Sequence, residues 1–314
     1  MMITILTRKQ ADVSVRRLDG FMALLCWAVV LALLSGCESY RTDKLIRDLE
    51  AKDAEVRMNA AIDLGKMNNP RVVPSLIVAL RDKDRYVPMR AEESLVELGP
   101  VAVEPLIAAL RNREEPNRPV IARILGKIRD VRGIDPLTVT LADPNPALAK
   151  ESRDALLKIL PAALKDSRLE VRLKAAKLLQ EVPDPVAVEP LIGALRDKDN
   201  NVRQRAGTAL GKIGQPAAKS LVGLLRDPDP EMRRVAAEQL GKIRNPEALE
   251  PLLTALRDPD PNVQWWAAWA LGEIGQPAEE ALKKLLRDPD RGVQRWAKEA
   301  LNKIKNVPFD QPPR

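Results

Sequence analysis

PLLTALRDPDPNVQWWAAWALGEIG, residues 251–275, holds one complete structural cycle of this chain. A short apolar run, Pro251 to Leu256, ends at Arg257-Asp258 and is followed by Pro259-Asp260-Pro261. Asp260 before Pro261 reads as a helix N-cap with proline in the first helical position, where its missing N–H costs nothing. Apolar residues then fall at Val263, Ala267, Ala268, Leu271 and Ile274. At 100° per residue they lie at about 0°, 40°, 140°, 80° and 20°, one broad face. Gly275 suits a C-cap, and Gln276-Pro277 opens a new segment. The stretch therefore predicts a short helix A, a capped turn and a longer helix B, with an apolar face that needs a neighbour to cover it.

The neighbours are more copies of the same cycle. PLIGALRDKDNNVRQRAGTALGKIG starts at Pro190 and SLVGLLRDPDPEMRRVAAEQLGKIR at Ser220. The leucine before each turn recurs at Leu49, Leu80, Leu110, Leu141, Leu164, Leu195, Leu225, Leu256 and Leu286. The spacing is 30 or 31 residues except for 23 between Leu141 and Leu164. A fixed period of this size marks a stacked array, in which each unit buries its face on the next. The predicted fold is thus an all-α solenoid of about nine two-helix repeats over residues 42–306. The short interval predicts a clipped helix A at Pro161-Ala162-Ala163-Leu164 and a local break in the superhelix. The fourth repeat departs most, with Ser152 and Arg153 where others carry Ala-Ala.

Composition agrees and narrows the function. Aromatics are 3% of 314 residues, so the core must be aliphatic, and 26 prolines fit many short helices. Histidine is absent. That excludes Ser-His-Asp and Cys-His catalysis, imidazole zinc sites and carboxylate-histidine di-iron sites. No catalytic residue, metal ligand, cofactor or small-molecule substrate is expected, so the chain reads as a non-enzyme. The net charge of +7, spread among 30% charged residues of both signs, does not by itself call for nucleic acid.

The N-terminus carries an address. Arg8, Lys9, Arg16 and Arg17 precede FMALLCWAVVLALLSG (21–36) and then Cys37. A basic region, an apolar run and a small-residue exit make an export signal. Leu34-Ser35-Gly36-Cys37 resembles the lipobox of bacterial lipoproteins. That resemblance implies a signal peptide over 1–36, lipid attachment at Cys37, and a short tether over 37–41. More than one acyl chain gives stable anchoring. The alternative is an uncleaved anchor helix. The expected location is the cell or outer membrane, on the extracytoplasmic side. A proline-rich tail closes the chain over 307–314.

The Leu-x-Asp turn, the Val-Arg pair of helix B and the Ala-x-x-x-Leu-Gly-x-Ile close resemble the HEAT repeat, above all its short variant from phycobilisome lyases. The resemblance covers residues 42–306. It implies a ladder between repeats from the turn Asp and the helix-B Arg, here Asp166 with Arg172, Asp197 with Arg203 and Asp227 with Arg233. Gln264 and Gln294 replace the Arg in the last two repeats, where the ladder is expected to weaken. The fold alone does not give a function.

Three features are candidate sites. The Asp-Pro-Asp turns have carboxylates enough for calcium, but capping accounts for each. Lys66, Lys127, Lys158, Lys212, Lys242 and Lys303 recur ten residues into helix B as a candidate basic stripe. A cation there also offsets the helix dipole, and Glu97, Glu181 and Glu273 interrupt the row. The tryptophans are more distinctive. Trp265, Trp266, Trp269 and Trp296 fall in two successive repeats, at helix-B positions that are polar or small elsewhere, such as Gln204, Arg205 and Thr208. On the same helical wheel they lie at about 200° to 300°, away from the apolar face, so they are expected to form one aromatic patch on the concave surface. Clustered indoles are frequent at binding hot spots. Packing between the last repeats, or cover by the C-terminal tail with Phe309, is the alternative. The expected function is a membrane-anchored scaffold that holds a protein or peptide partner on that surface. The rivals are an accessory subunit of a lyase-like or other envelope enzyme and a nucleic-acid binder, the latter disfavoured by export.

Overall fold

A computed structural model describes residues 39–307 of the chain. The expected signal peptide, Cys37 and the tail beyond Val307 lie outside the described residues. Seventeen α-helices follow in order, and no strand occurs among the described residues. The B helices are α2 (Ala54–Gly65), α4 (Tyr86–Glu97), α6 (Arg118–Ile128), α8 (Pro146–Ala163), α9 (Leu169–Glu181), α11 (Asn200–Ile213), α13 (Pro230–Ile243), α15 (Pro261–Ile274) and α17 (Arg291–Ile304). The A helices are α1 (39–48), α3 (Val73–Ala79), α5 (Val103–Arg111), α7 (Ile134–Thr140), α10 (Val188–Ala194), α12 (Gln215–Leu224), α14 (Leu249–Ala255) and α16 (Gln276–Leu285). The fold is the all-α solenoid that the period predicts. It divides within α6 into two compact units, one up to Ile124 and one from Leu125.

Local sequence sets each helix boundary. Asp260 accepts from the backbone N–H of Asn262 at 2.8 Å and of Val263 at 3.2 Å, with Pro261 in the first turn. Asp53, Asp199, Asp229 and Asp290 cap their B helices in the same way. The other turn aspartate is occupied too: Asp258 accepts from Asp260 N–H at 2.9 Å and Asp227 from Asp229 N–H at 3.0 Å. Capping thus consumes the Asp-Pro-Asp carboxylates, and no acidic group able to hold a metal occurs among the described residues.

Two kinds of junction lead from helix B to the next helix A. Gly214 and Gly275 take φ of 76° and 80°, a backbone that L side chains rarely adopt, and α12 and α16 start at once behind them. At the others a short 3-10 turn intervenes, capped by Asn69, Asp130, Asp184 or Asn245 where such a residue is present.

The core follows the predicted face. Val263, Ala267, Ala268 and Leu271 are fully buried, as are Val202, Ala206 and Leu210 in α11. Small residues let B helices approach closely. A Cβ added to Gly241 of α13 would stand 2.8 Å from Ala270 Cα of α15, and one on Gly126 2.6 Å from Ala155 Cα of α8.

The fifth repeat differs from expectation. Its clipped helix A is not a separate element. It continues helix B of the fourth repeat as the 18-residue α8, with Pro161 inside it. Lys158-Ile159-Leu160 offers neither a glycine nor a capping side chain to stop the helix. Pro161 then leaves the Leu157 carbonyl without its usual N–H donor. Ser152, the anomaly of the fourth repeat, is buried and shares a 2.7 Å hydrogen bond with Thr140 Oγ1 of α7.

The ladder also needs correction. Arg172 and Arg233 reach their own turns through backbone carbonyls and give their carboxylate contacts to the next repeat. Arg172 donates to Asp166 O at 2.9 Å and pairs with Asp197 at 2.7 Å. Arg233 donates to Asp227 O at 2.9 Å and pairs with Asp258 at 2.7 Å. In the first unit Arg57 pairs with Asp82 at 2.6 Å in the same way. Between these rungs a different donor serves. Arg203 meets its own turn at Asp197 O, 2.8 Å away, while Arg196, directly after the anchor leucine, bonds Asp227. Likewise Gln264 keeps the carbonyl half, donating to Asp258 O at 2.6 Å, and Arg257 bonds Asp288. The rung beyond Gln264 therefore persists through Arg257.

Candidate partner-binding site

The tryptophans lie in the second unit, on α15 and α17. The structure does not bring all four to the surface. Trp265 and Trp296 are buried, 7% and 6% exposed, whereas Trp266 and Trp269 are half-buried. The expected four-ring patch is thus a two-ring surface on a buried base. The reason is the array. A B helix inside a stack is flanked by other B helices, so directions that are free on an isolated helix are covered.

The three rings of α15 pack edge to face. Trp265 and Trp266 have centroids 4.7 Å apart at 83°, and Trp266 and Trp269 5.3 Å apart at 78°. Such T-shaped pairs place the positive edge of one ring on the negative face of the next. Trp296 donates its indole N–H to Gln264 Oε1 at 2.9 Å, a satisfied contact between α17 and α15. Trp269 packs over α13, where its Cζ3 would lie 2.6 Å from a Cβ on Gly241.

Cations flank the two accessible rings. The Arg234 guanidinium lies 6.0 Å from the Trp266 centroid and the Lys303 ammonium 5.4 Å from that of Trp269. Both are held by carboxylates. Arg234 bonds Glu231 at 2.7 Å and Glu238 at 3.1 Å, and this hydrogen bonding raises its already high pKa. Lys303 bonds Glu273 at 2.9 Å, and Arg244 reaches the same carboxylate at 2.6 Å. Burial opposes the charge on Glu273, but the bonds from Lys303 and Arg244 outweigh it and hold the carboxyl below its ordinary range. The result is a pre-organised aromatic surface with a fixed frame of mixed charge.

The lysine row is less continuous than a stripe for phosphates would need. Lys66 pairs with Asp63 at 2.9 Å and Lys242 with Glu238 at 2.6 Å, besides Lys303 with Glu273. Sequence reasoning missed one residue of this face. Gln239 of α13 is 3% exposed, and its Oε1 has no hydrogen-bond partner. It occupies a position where α11, α15 and α17 carry alanine, a contrast visible by aligning the repeats.

Comparison with known proteins places the chain. A family model described as HEAT repeats matches residues 42–118, 156–226 and 219–302. Phycocyanobilin lyase subunit beta of Thermosynechococcus vestitus is 29% identical over 168 residues, 54% of this chain and 75% of that protein. Among solved structures, human deoxyhypusine hydroxylase in complex with glycerol is 22% identical with a TM-score of 0.34, covering 87% of this chain and 99% of its own. A designed armadillo repeat protein in complex with peptide (KR)4 is 23% identical with a TM-score of 0.34, covering 65% and 99%.

Proposed function

The chain belongs to the HEAT-repeat family, and on that premise we propose that it is a non-enzymatic scaffold that holds a protein or peptide partner on the B-helix face of its second unit. The observation that carries this reading is the T-shaped pair Trp266–Trp269, half-exposed between Arg234 and Lys303. Four of the chain's 5 tryptophans are concentrated on these two helices, in a protein whose aromatics make up 3%. An indole kept at the surface forgoes burial that a core position would give, and such residues are enriched where partners bind.

The proposal includes the membrane. Lipid on Cys37 would leave only Glu38 before α1, which begins at residue 39. The scaffold would then work close to the bilayer on its extracytoplasmic side. Labelling with palmitate and accumulation of the precursor under globomycin test this part, and unlabelled protein that is processed normally would remove it.

Trp266→Ala with Trp269→Ala tests the platform. Partner capture by crosslinking in native envelopes should fall at least tenfold while the melting curve of the first unit stays unchanged. Undiminished capture refutes the platform. A second reading, an accessory role beside a lyase-like enzyme, draws on the 168-residue similarity to the lyase subunit. It predicts that the captured partner is itself an enzyme whose activity falls when the two indoles are removed.

A further inference from the structure

Stacked B helices meet here through a recurrent small-residue contact. A glycine late in one B helix faces a small residue in the later part of the next. Gly65 meets Ser94, and Gly241 meets Ala270, with the neighbour's Cα 2.8 Å from an added Cβ in both cases. The position of Ser94 and Ala270 is held by Ala209 in α11 and by Ala300 in α17. In α13 it is Gln239.

The long side chain changes the junction of α11 with α13. The atoms nearest an added Cβ on Gly211 are Gln239 Oε1 at 2.6 Å, Gln239 Cδ at 3.7 Å and Lys242 Cδ at 3.9 Å, with no backbone among them. Gln239 thus stands as a wedge where the junctions at Gly65, Gly126 and Gly241 close on a methyl or hydroxymethyl group, while Gly272 meets the stem of Lys303. Beside it opens a cleft of about 340 Å³, walled by Gln204, Thr208, Arg234 and Glu238, with Gln239 in its lining. Among the described residues, Gln239 Oε1 and Arg90 Nε are the buried side-chain N or O atoms with no partner. A buried acceptor left unpaired is costly, and it persists where something else depends on it.

The chemistry of the cleft selects its occupant. Arg234 is committed to Glu231 and Glu238, and Arg203 donates to Asp197 O at 2.8 Å. A charged ligand group would have to break one of these pairings. A neutral amide would not: its oxygen can accept from Gln239 Nε2, which lies beside Gly207 of the cleft lining, and its N–H can serve Oε1, which here faces Gly211 outside that lining, once the side-chain amide turns. The terminal torsion of glutamine is soft, so the amide can turn toward the cleft. Arg234 connects the cleft directly to the Trp266 ring, 6.0 Å away.

We propose that the α11–α13 cleft is a specificity subsite for the carboxamide side chain of an Asn or Gln in an extended peptide lying on Trp266 and Trp269. This rests on the reading of that face as a peptide platform. The test pans a random dodecapeptide phage library on the immobilised protein and measures selected synthetic peptides by fluorescence anisotropy. Asn or Gln should be enriched at one fixed position, and replacing it by Leu or Glu should weaken binding about tenfold. Gln239→Ala should remove that preference and also raise the melting temperature, because it restores the small residue of the other junctions. A Gln239 that is only structural would instead lower it. Peptides without amide enrichment, or equal affinity for Gln239→Ala, overturn the subsite. Equal affinity for the Trp266→Ala, Trp269→Ala variant, or a library that yields no binder, overturns the platform itself.

Discussion

Two glycine-to-alanine substitutions should change stability in opposite directions, although both add one methyl to a helix. In Gly241→Ala the new Cβ would stand 2.6 Å from Trp269 Cζ3, 2.8 Å from Ala270 Cα and 2.9 Å from Ala270 Cβ. The Ala270 atoms belong to the backbone and first carbon of α15, so they cannot rotate aside. The helices must part, and overpacking of this kind costs about 1–3 kcal/mol. Replacing glycine inside a helix gains roughly 1 kcal/mol. The net loss is up to about 2 kcal/mol. In Gly223→Ala of α12 nothing lies within 4 Å of the new atom, so only the gain of about 0.5–1 kcal/mol remains. The propensity gain is common to both, so the two variants should differ by the overpacking cost of about 1–3 kcal/mol, roughly 2–12 °C in melting temperature for a unit of this size. Tryptophan fluorescence in a urea titration is the natural assay, because the indoles of the described residues all lie on α15 and α17. Gly241→Ala should also shift native emission to the red as the Trp269 ring is displaced. Equal stability of the two variants would refute the close packing of α13 on α15.

Acid should undo the ladder. Hydrogen bonds from Arg57 and Arg257 hold Asp82 and Asp288 below the ordinary value of 3.8. A lowered folded-state pKa contributes stability that is present above the ordinary value and disappears as pH falls through the folded one. Stability should therefore be level near neutrality and drop below about pH 4, and Asp82→Asn should flatten the drop for the first unit; an unchanged acid limb would contradict the pairing. Pro161→Ala should stabilise the second unit by about 1–3 kcal/mol, since the Leu157 carbonyl regains an N–H donor within α8. Chemical denaturation measures it, and a destabilised variant would show that the proline ring is needed in packing.

The repeat is legible in the sequence because its signals are local. Caps, prolines and the apolar period of helix B all lie within one cycle, so Asp260, Pro261 and Val263 announce their roles without knowledge of neighbours. Contacts between cycles are less so. The spacing shows that Arg172 recurs with a turn aspartate, but not that its carboxylate is Asp197 of the following repeat. Trp265 lies off the apolar face of its own helix, which predicts an outward ring, yet the array covers that direction. Lys158 to Leu160 hold the information that α8 does not stop, since no residue there can end a helix. Gln239 is legible only in comparison, as the one long polar side chain at a position otherwise small in the last repeats.

The alternation of rungs has a consequence for how this array can be lengthened or cut. Arg172 and Arg233 serve alternate junctions, and Arg196 and Arg257 serve those between. Gly214-Gln215-Pro216-Ala217 reappears two repeats later as Gly275-Gln276-Pro277-Ala278, and not at the repeat between. The module that repeats itself here is a pair. Excising one helix hairpin would join a left-handed glycine exit to a segment built for an Asn or Asp cap, and set two rungs of the same kind side by side. Excising or inserting two hairpins together, from Gly214 to Ile274 for instance, rejoins like with like. Any grafting of the indole-bearing end onto a longer or shorter handle should therefore count in pairs.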